Sequence, residues 1–149
     1  MGDFSYSVAI RTLGKAGDKF QQELDSLVSQ TIKPSKIVVY LAEGYERPTQ
    51  TVGVEEYVIV PKGMVSQRAL DYKEIDTDYI LLLDDDVFLA EDAMEKMLKT
   101  MVERQADCVA ADVFKNHKMS LLTKIYSYAT NMVYPRFWSK WAFKIGANA

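Results

Sequence analysis

"YILLLDDDVFL", residues 79–89, places three consecutive aspartates directly behind a run of uncharged residues. Tyr79 to Leu83 show no polar/apolar alternation, which predicts a strand buried on both faces, as in a parallel sheet covered by other elements. The aspartates fall where that strand ends. Two unit charges about 5 Å apart repel by roughly 3 kcal/mol at an effective dielectric near 20. Asp84, Asp85 and Asp86 therefore have to be solvated, protonated or neutralised by something from outside the chain.

The flanking sequence supplies the elements around this strand. "YSVAI" (6–10) is a short β-type run broken by "GKAG". From Asp18, an expected N-cap, Phe20, Leu24, Leu27 and Val28 recur at helical spacing and predict an amphipathic helix. "SKIVVYLAEG" (35–44) and "VEEYVIVPKG" (54–63) predict two further strands, each ended by glycine or proline. "SQRALDYKEI" (66–75) predicts a short helix. Met94, Met97, Leu98 and Met101 mark another, with Glu91 and Asp92 favourably placed in its first turn. "CVAADV" (108–113) predicts a fifth strand, with Cys108 as a small core residue. Strands alternating with helices predict an α/β domain with a mainly parallel sheet.

With 149 residues, of which 48% are hydrophobic and 26% charged, the chain can build one globular core and does not resemble a disordered sequence. A lone cysteine makes no internal disulfide, so a reducing compartment is expected. The first residues lack the basic start and apolar stretch of a secretory signal, and no run of 18 apolar residues occurs. A cytoplasmic protein is expected. The net charge of −3 hides an asymmetry: residues 113–149 carry six basic groups and no acid, whereas residues 1–112 hold 12 basic against 21 acidic, a net of −9. That tail also holds 8 of the 17 aromatic residues. A basic, aromatic segment beside an acidic body suggests an anionic partner surface, such as the inner face of a membrane. The expected division is 1–112 as the body and 113–149 as a helical tail broken at Pro135.

In open α/β sheets, ligands gather at the carboxyl ends of strands. The aspartates lie at such an end, as do Thr12 and Glu43, while Gly63 and Arg68 follow the third strand. Carboxylates suit a hard divalent cation and an arginine suits a phosphate, to which it presents a planar fork of donors. The plainer reading is a solvated turn capping the next helix.

The succession "SVAIRT", "SLVSQTIKPSKIVVY", "KGMVSQRAL" and "DTDYILLLDDDVFLAEDAMEKML" resembles the nucleotide-sugar-binding half of glycosyltransferase family 2, over about residues 6–112. The resemblance implies a Rossmann-like GT-A three-layer sandwich around a mainly parallel sheet, here expected to be incomplete on its C-terminal side. It also implies an enzyme that transfers a sugar from a nucleoside diphosphate sugar, with uridine the expected base, to an acceptor hydroxyl with inversion. The family's D-x-D element, which binds the donor diphosphate through Mn²⁺ or Mg²⁺, matches Asp84 to Asp86. Asp84 would face the ribose or metal, Asp86 would be the main metal ligand, and Asp85 would lie between them in the donor site. The G-x-x-x-x-R element matches Gly63 and Arg68, with the arginine near the phosphates or base. Thr12 matches a threonine near the nucleobase.

Four departures stand out. Arg11 replaces the usual proline before that threonine. "YLAEG" replaces an Asp-Asp-Gly, leaving Glu43 as the candidate acid for the base, and Ala69 replaces the usual asparagine after the arginine. Beyond Asp112 there is no acid, so the family's general base is expected outside this chain, which reads as the N-terminal part of such an enzyme.

"LLLDDDVF" also resembles the motif of haloacid-dehalogenase-type phosphatases, in which Asp84 would be the nucleophile and Asp86 the acid/base. Three predicted strands precede it here, whereas that family keeps the motif on its first. A non-catalytic nucleotide-binding module is a third reading, distinguished by absence of turnover. His117, the only histidine, follows the predicted fifth strand and is ordinarily a surface or structural residue. Trp138 and Trp141 suit packing on the body, a homodimer or a membrane interface.

Overall fold

The computed structural model describes residues 4–111. In order they form β1 (Tyr6–Thr12), α1 (Asp18–Val28), β2 (Lys36–Ala42), β3 (Glu55–Val60), a single 3₁₀ turn (Ser66–Arg68), β4 (Tyr79–Asp84) and α2 (Ala93–Arg104). The four strands make one parallel sheet in the order β3-β2-β1-β4. This is the expected Rossmann-like α/β arrangement, with the chain crossing over between successive strands. Central β1 pairs with β2 on one side and β4 on the other. Its register against β4 begins where Asp78 accepts hydrogen bonds from the Ser5 amide (2.9 Å) and hydroxyl (2.8 Å).

Strand alternation divides the core in two. On one face Tyr6, Val8 and Ile10 of β1, Ile37 and Val39 of β2, and Leu81 and Leu83 of β4 pack with Phe20, Leu24 and Leu27 of α1 and with Met94 and Leu98 of α2. Gln30, fully buried, ties the two helices together: its amide donates to the carbonyls of Ser26 and Ala90, and its oxygen accepts from the Met94 amide at 3.1 Å. On the other face Ala9, Val38, Tyr40 and Val60 are covered by Leu70, Tyr72 and Ile75.

Five expectations need correction. Residues 66–75 do not form a helix beyond the 3₁₀ turn: Ala69 leaves helical geometry, and Tyr72 takes φ +48°. The segment instead lies extended enough for Leu70, Tyr72 and Ile75 to cover the sheet, and that burial outweighs local helix preference. β4 is not buried on both faces. Leu81 and Leu83 are, but Ile80 is 40% and Leu82 49% exposed, because the 70–75 cover reaches only β1 to β3 among the described residues. No strand forms over 108–111, and residues 112–113 lie outside the described residues. Cys108, with no sheet to join, is exposed rather than in the core. At α1 the cap is Gly17 rather than Asp18, which occupies the first turn. His117, the aromatic tail and the proposed 113–149 segment lie outside the described residues.

Candidate functional site

Because all four strands run the same way, their carboxyl ends share one edge of the sheet. A cavity of about 330 Å³ opens there. β1 contributes Arg11 and Thr12, the segment after β3 contributes Lys62, Gly63 and Arg68, and Asp84 and Asp85 come from the end of β4. Thus Thr12, Gly63, Arg68, Asp84 and Asp85, five of the residues expected to bind a donor, converge on one cavity. Glu43 is exposed and does not line it, and Asp86 stands outside the lining.

The three aspartates do not act as a unit, since successive residues leaving a strand point to opposite sides. Asp84 is aligned with Arg11 in the β1–β4 register, so the two side chains share a face. Its Oδ1 lies 2.9 Å from Arg11 Nη2 and its Oδ2 3.6 Å from Arg68 Nη2. Asp85, one residue on, accepts a hydrogen bond from the Thr12 hydroxyl, which itself accepts from the Gly14 amide at 2.7 Å. Asp86 remains more than half exposed, with Lys19 Nζ 4.0 Å away.

The loop after β3 is built to reach this place. Gly63 has φ +140°, a conformation that side-chain-bearing residues rarely adopt, and an added Cβ would sit 3.2 Å from Ser66 Oγ. The turn that follows buries Gln67, whose amide donates to the Thr12 carbonyl at 3.2 Å. That bond pins the loop to β1 and holds Arg68 over the cavity.

Beneath the aspartates lies Glu23 of α1. It is fully buried, and neither carboxyl oxygen has a hydrogen-bond partner among the described residues. Burial, aided by the negative charges of Asp85 and Asp86, pushes its pKa from 4.5 up to about 9, a rise that the nearby Val87 amide only partly offsets. Glu23 is a neutral acid at pH 7.

Arg11, Lys62, Gln67 and Glu23 were not anticipated as site residues. Glu23 had a readable signal: it lies three residues after Phe20 and four before Leu27, on the apolar stripe of α1. Arg11 had a weaker one, as the residue paired with the first aspartate once the strand register is known.

The donor set bears on a divalent cation. Both oxygens of Asp84 face guanidinium groups, and one oxygen of Asp85 is taken by Thr12. Among the described residues no three acidic, histidine or cysteine side chains converge as a cation site. Asp84, with a guanidinium at each oxygen, is the least suited of the three to ligate a cation, whereas Asp86 is more than half exposed and keeps oxygens open to one.

Fold and cavity define a class: a Rossmann-like α/β domain with a ligand site of mixed charge at the carboxyl edge of its sheet. Residues 60–147 match the model of Glycosyl transferase family 2, and the chain belongs to that family. The match takes in the Gly63–Arg68 loop, the aspartates and most of the basic tail, so the likeness read over 6–112 extends into residues previously set apart. No curated protein matches the chain. Membership implies a nucleotide-sugar donor and an acceptor. With Asp84 ending the fourth strand rather than the first, the phosphatase reading has no support. Among the described residues no helix is long and apolar enough to cross a membrane.

Proposed function

We propose that this chain is the donor-binding domain of a glycosyltransferase that takes a nucleoside diphosphate sugar, with uridine the expected base, and passes the sugar to an acceptor hydroxyl with inversion at the anomeric carbon. The observation that carries the reading is the convergence of Thr12, Gly63, Arg68, Asp84 and Asp85 on one cavity at the sheet's carboxyl edge, in a chain of this family. Arg68 lies where its fork of donors can take phosphate oxygens. Thr12 and Asp85, both lining the cavity, form a hydrogen-bonded pair suited to the polar edge of a ribose or base. Asp86, with Asp85, would hold Mn²⁺ or Mg²⁺, which when bound supplies Lewis-acid stabilisation of the departing diphosphate. Gln67 and Gly63 orient the loop, and Asp84 orients the arginines. The basic tail is proposed to face an anionic membrane surface, where a lipid-linked or cell-envelope acceptor would be presented.

Titration of the full chain with UDP, with and without Mn²⁺, tests the reading. Binding that strengthens with Mn²⁺ is expected, with Asp86→Ala removing the Mn²⁺ increment while the fold survives. Absence of UDP binding in either condition refutes donor binding; equal binding in both removes the cation from the site.

A further inference from the structure

The cavity lining carries three cations, Arg11, Lys62 and Arg68, against two carboxylates, Asp84 and Asp85. At Asp84 the balance is more one-sided, because guanidinium groups approach both of its oxygens. A divalent cation placed there would meet strong repulsion at such short range, whereas an anion would be attracted. Arg11 is unlike a surface arginine. Its side chain is only 16% exposed, and among the described residues its Nε is buried without a partner and its one ionic contact is Asp84. A guanidinium has five N–H donors, and this contact leaves several of them for another acceptor at the cavity wall. Donors of the guanidinium that face the cavity without an acceptor favour an oxyanion there.

The register explains how the group is held. Arg11 and Asp84 are side-by-side residues of adjacent parallel strands, so the guanidinium is anchored by rigid sheet at both ends. A proline at position 11 would leave this wall without a donor.

Resting on the donor-site reading above, we propose that Arg11 is a phosphate-binding residue of the cavity, and that Asp84 anchors Arg11 and Arg68 rather than ligating a metal. The two guanidiniums then grip the donor's diphosphate oxygens directly, so that part of the nucleotide affinity needs no cation.

UDP and inorganic pyrophosphate are titrated into the full chain in excess EDTA and again in Mn²⁺, using the wild type, Arg11→Gln, Arg11→Lys and Asp84→Asn, with circular dichroism confirming the fold. Wild type is expected to bind both probes in EDTA. Arg11→Gln should weaken binding about tenfold or more, and by a similar factor in both buffers. Arg11→Lys, which keeps the charge but loses the fork, should recover part of the loss. Asp84→Asn should weaken binding in both buffers while leaving the Mn²⁺ increment intact. The proposal is overturned if Arg11→Gln binds like wild type, if the wild type binds only with Mn²⁺, or if Asp84→Asn abolishes the Mn²⁺ increment. Those results would leave donor binding standing, whereas failure of the wild type to bind UDP in either buffer would overturn both readings. Should Arg11→Gln not fold, Arg11→Lys and Asp84→Asn still decide the matter through the same comparison.

Discussion

Replacing Glu23 by glutamine is expected to stabilise this protein at neutral pH, although glutamate is the native residue of a buried helix face. The folded state holds the Glu23 proton up to about pH 9, whereas the unfolded chain releases it near 4.5. Below pH 4.5 both states are protonated and the group contributes nothing pH-dependent. Above it the unfolded chain loses a proton that the folded state keeps, so stability falls as pH rises from about 4.5 to about 9. At 1.36 kcal/mol per pH unit, the loss by pH 7 is about 3 kcal/mol. Glutamine has nearly the same shape, and its side-chain oxygen can face the Val87 amide as the carboxyl does, so the substitution removes the ionisation penalty and little else. Urea unfolding of both proteins at intervals from pH 4 to 9 measures the difference directly. The curves should converge near pH 4.5 and separate above it, with Glu23→Gln the more stable by about 3 kcal/mol at pH 7. Parallel curves, or a variant less stable than wild type at pH 7, would show that Glu23 is ionised in the fold and partnered there.

Arg68→Ala should weaken UDP binding by about 1.5–3 kcal/mol, the scale of a charge-assisted hydrogen bond; an unchanged dissociation constant by calorimetry would take Arg68 out of the site. Leu24→Ala, which empties a fully buried position between α1 and the sheet, should cost about 2–5 kcal/mol in urea unfolding. Gly14→Ala should destabilise by at least about 1 kcal/mol, because Gly14 has φ +70° and an added Cβ would lie 2.5 Å from the Glu46 carbonyl oxygen; a melting temperature equal to wild type would contradict this. The basic tail should bind anionic but not neutral vesicles, and less so as salt rises; no binding to either, together with a stable dimer in solution, would contradict the proposed membrane surface.

Periodicity made most of this architecture readable. The apolar runs within 6–10, 35–44 and 54–63 became β1, β2 and β3, and the spacing of Phe20, Leu24 and Leu27 became α1, because each pattern is the imprint of burial: both faces for β1 and β2, one stripe for α1. What failed depended on which face had a cover. Leu70, Tyr72 and Ile75 look helical in isolation, yet they serve as an irregular lid on Val38 and Tyr40. "YILLL" reads as doubly buried, yet one side of β4 has no such cover among the described residues. At the cavity, Gly63, Arg68 and the aspartates were found through local motifs. Arg11 was registered only as a missing proline, because its meaning comes from the strand pairing that sets it beside Asp84. Sequence spacing carries information along one element; a pair 73 positions apart becomes a pair only when the sheet closes.

That separation also bears on how the protein emerges from the ribosome. β1 and β2 can pair once Ala42 is made, but β1 keeps its other edge unpaired until Tyr79 to Asp84 arrive. At roughly 5–20 residues per second, the 36 residues between Ala42 and Tyr79 take about 2–7 s to add. Through that interval the nascent chain presents an open edge bearing Val8, Ala9 and Ile10, residues that are completely buried afterwards. Completion of "YILLLD" therefore does two things in one event: it removes an aggregation-prone edge from the growing chain, and it delivers Asp84 to Arg11.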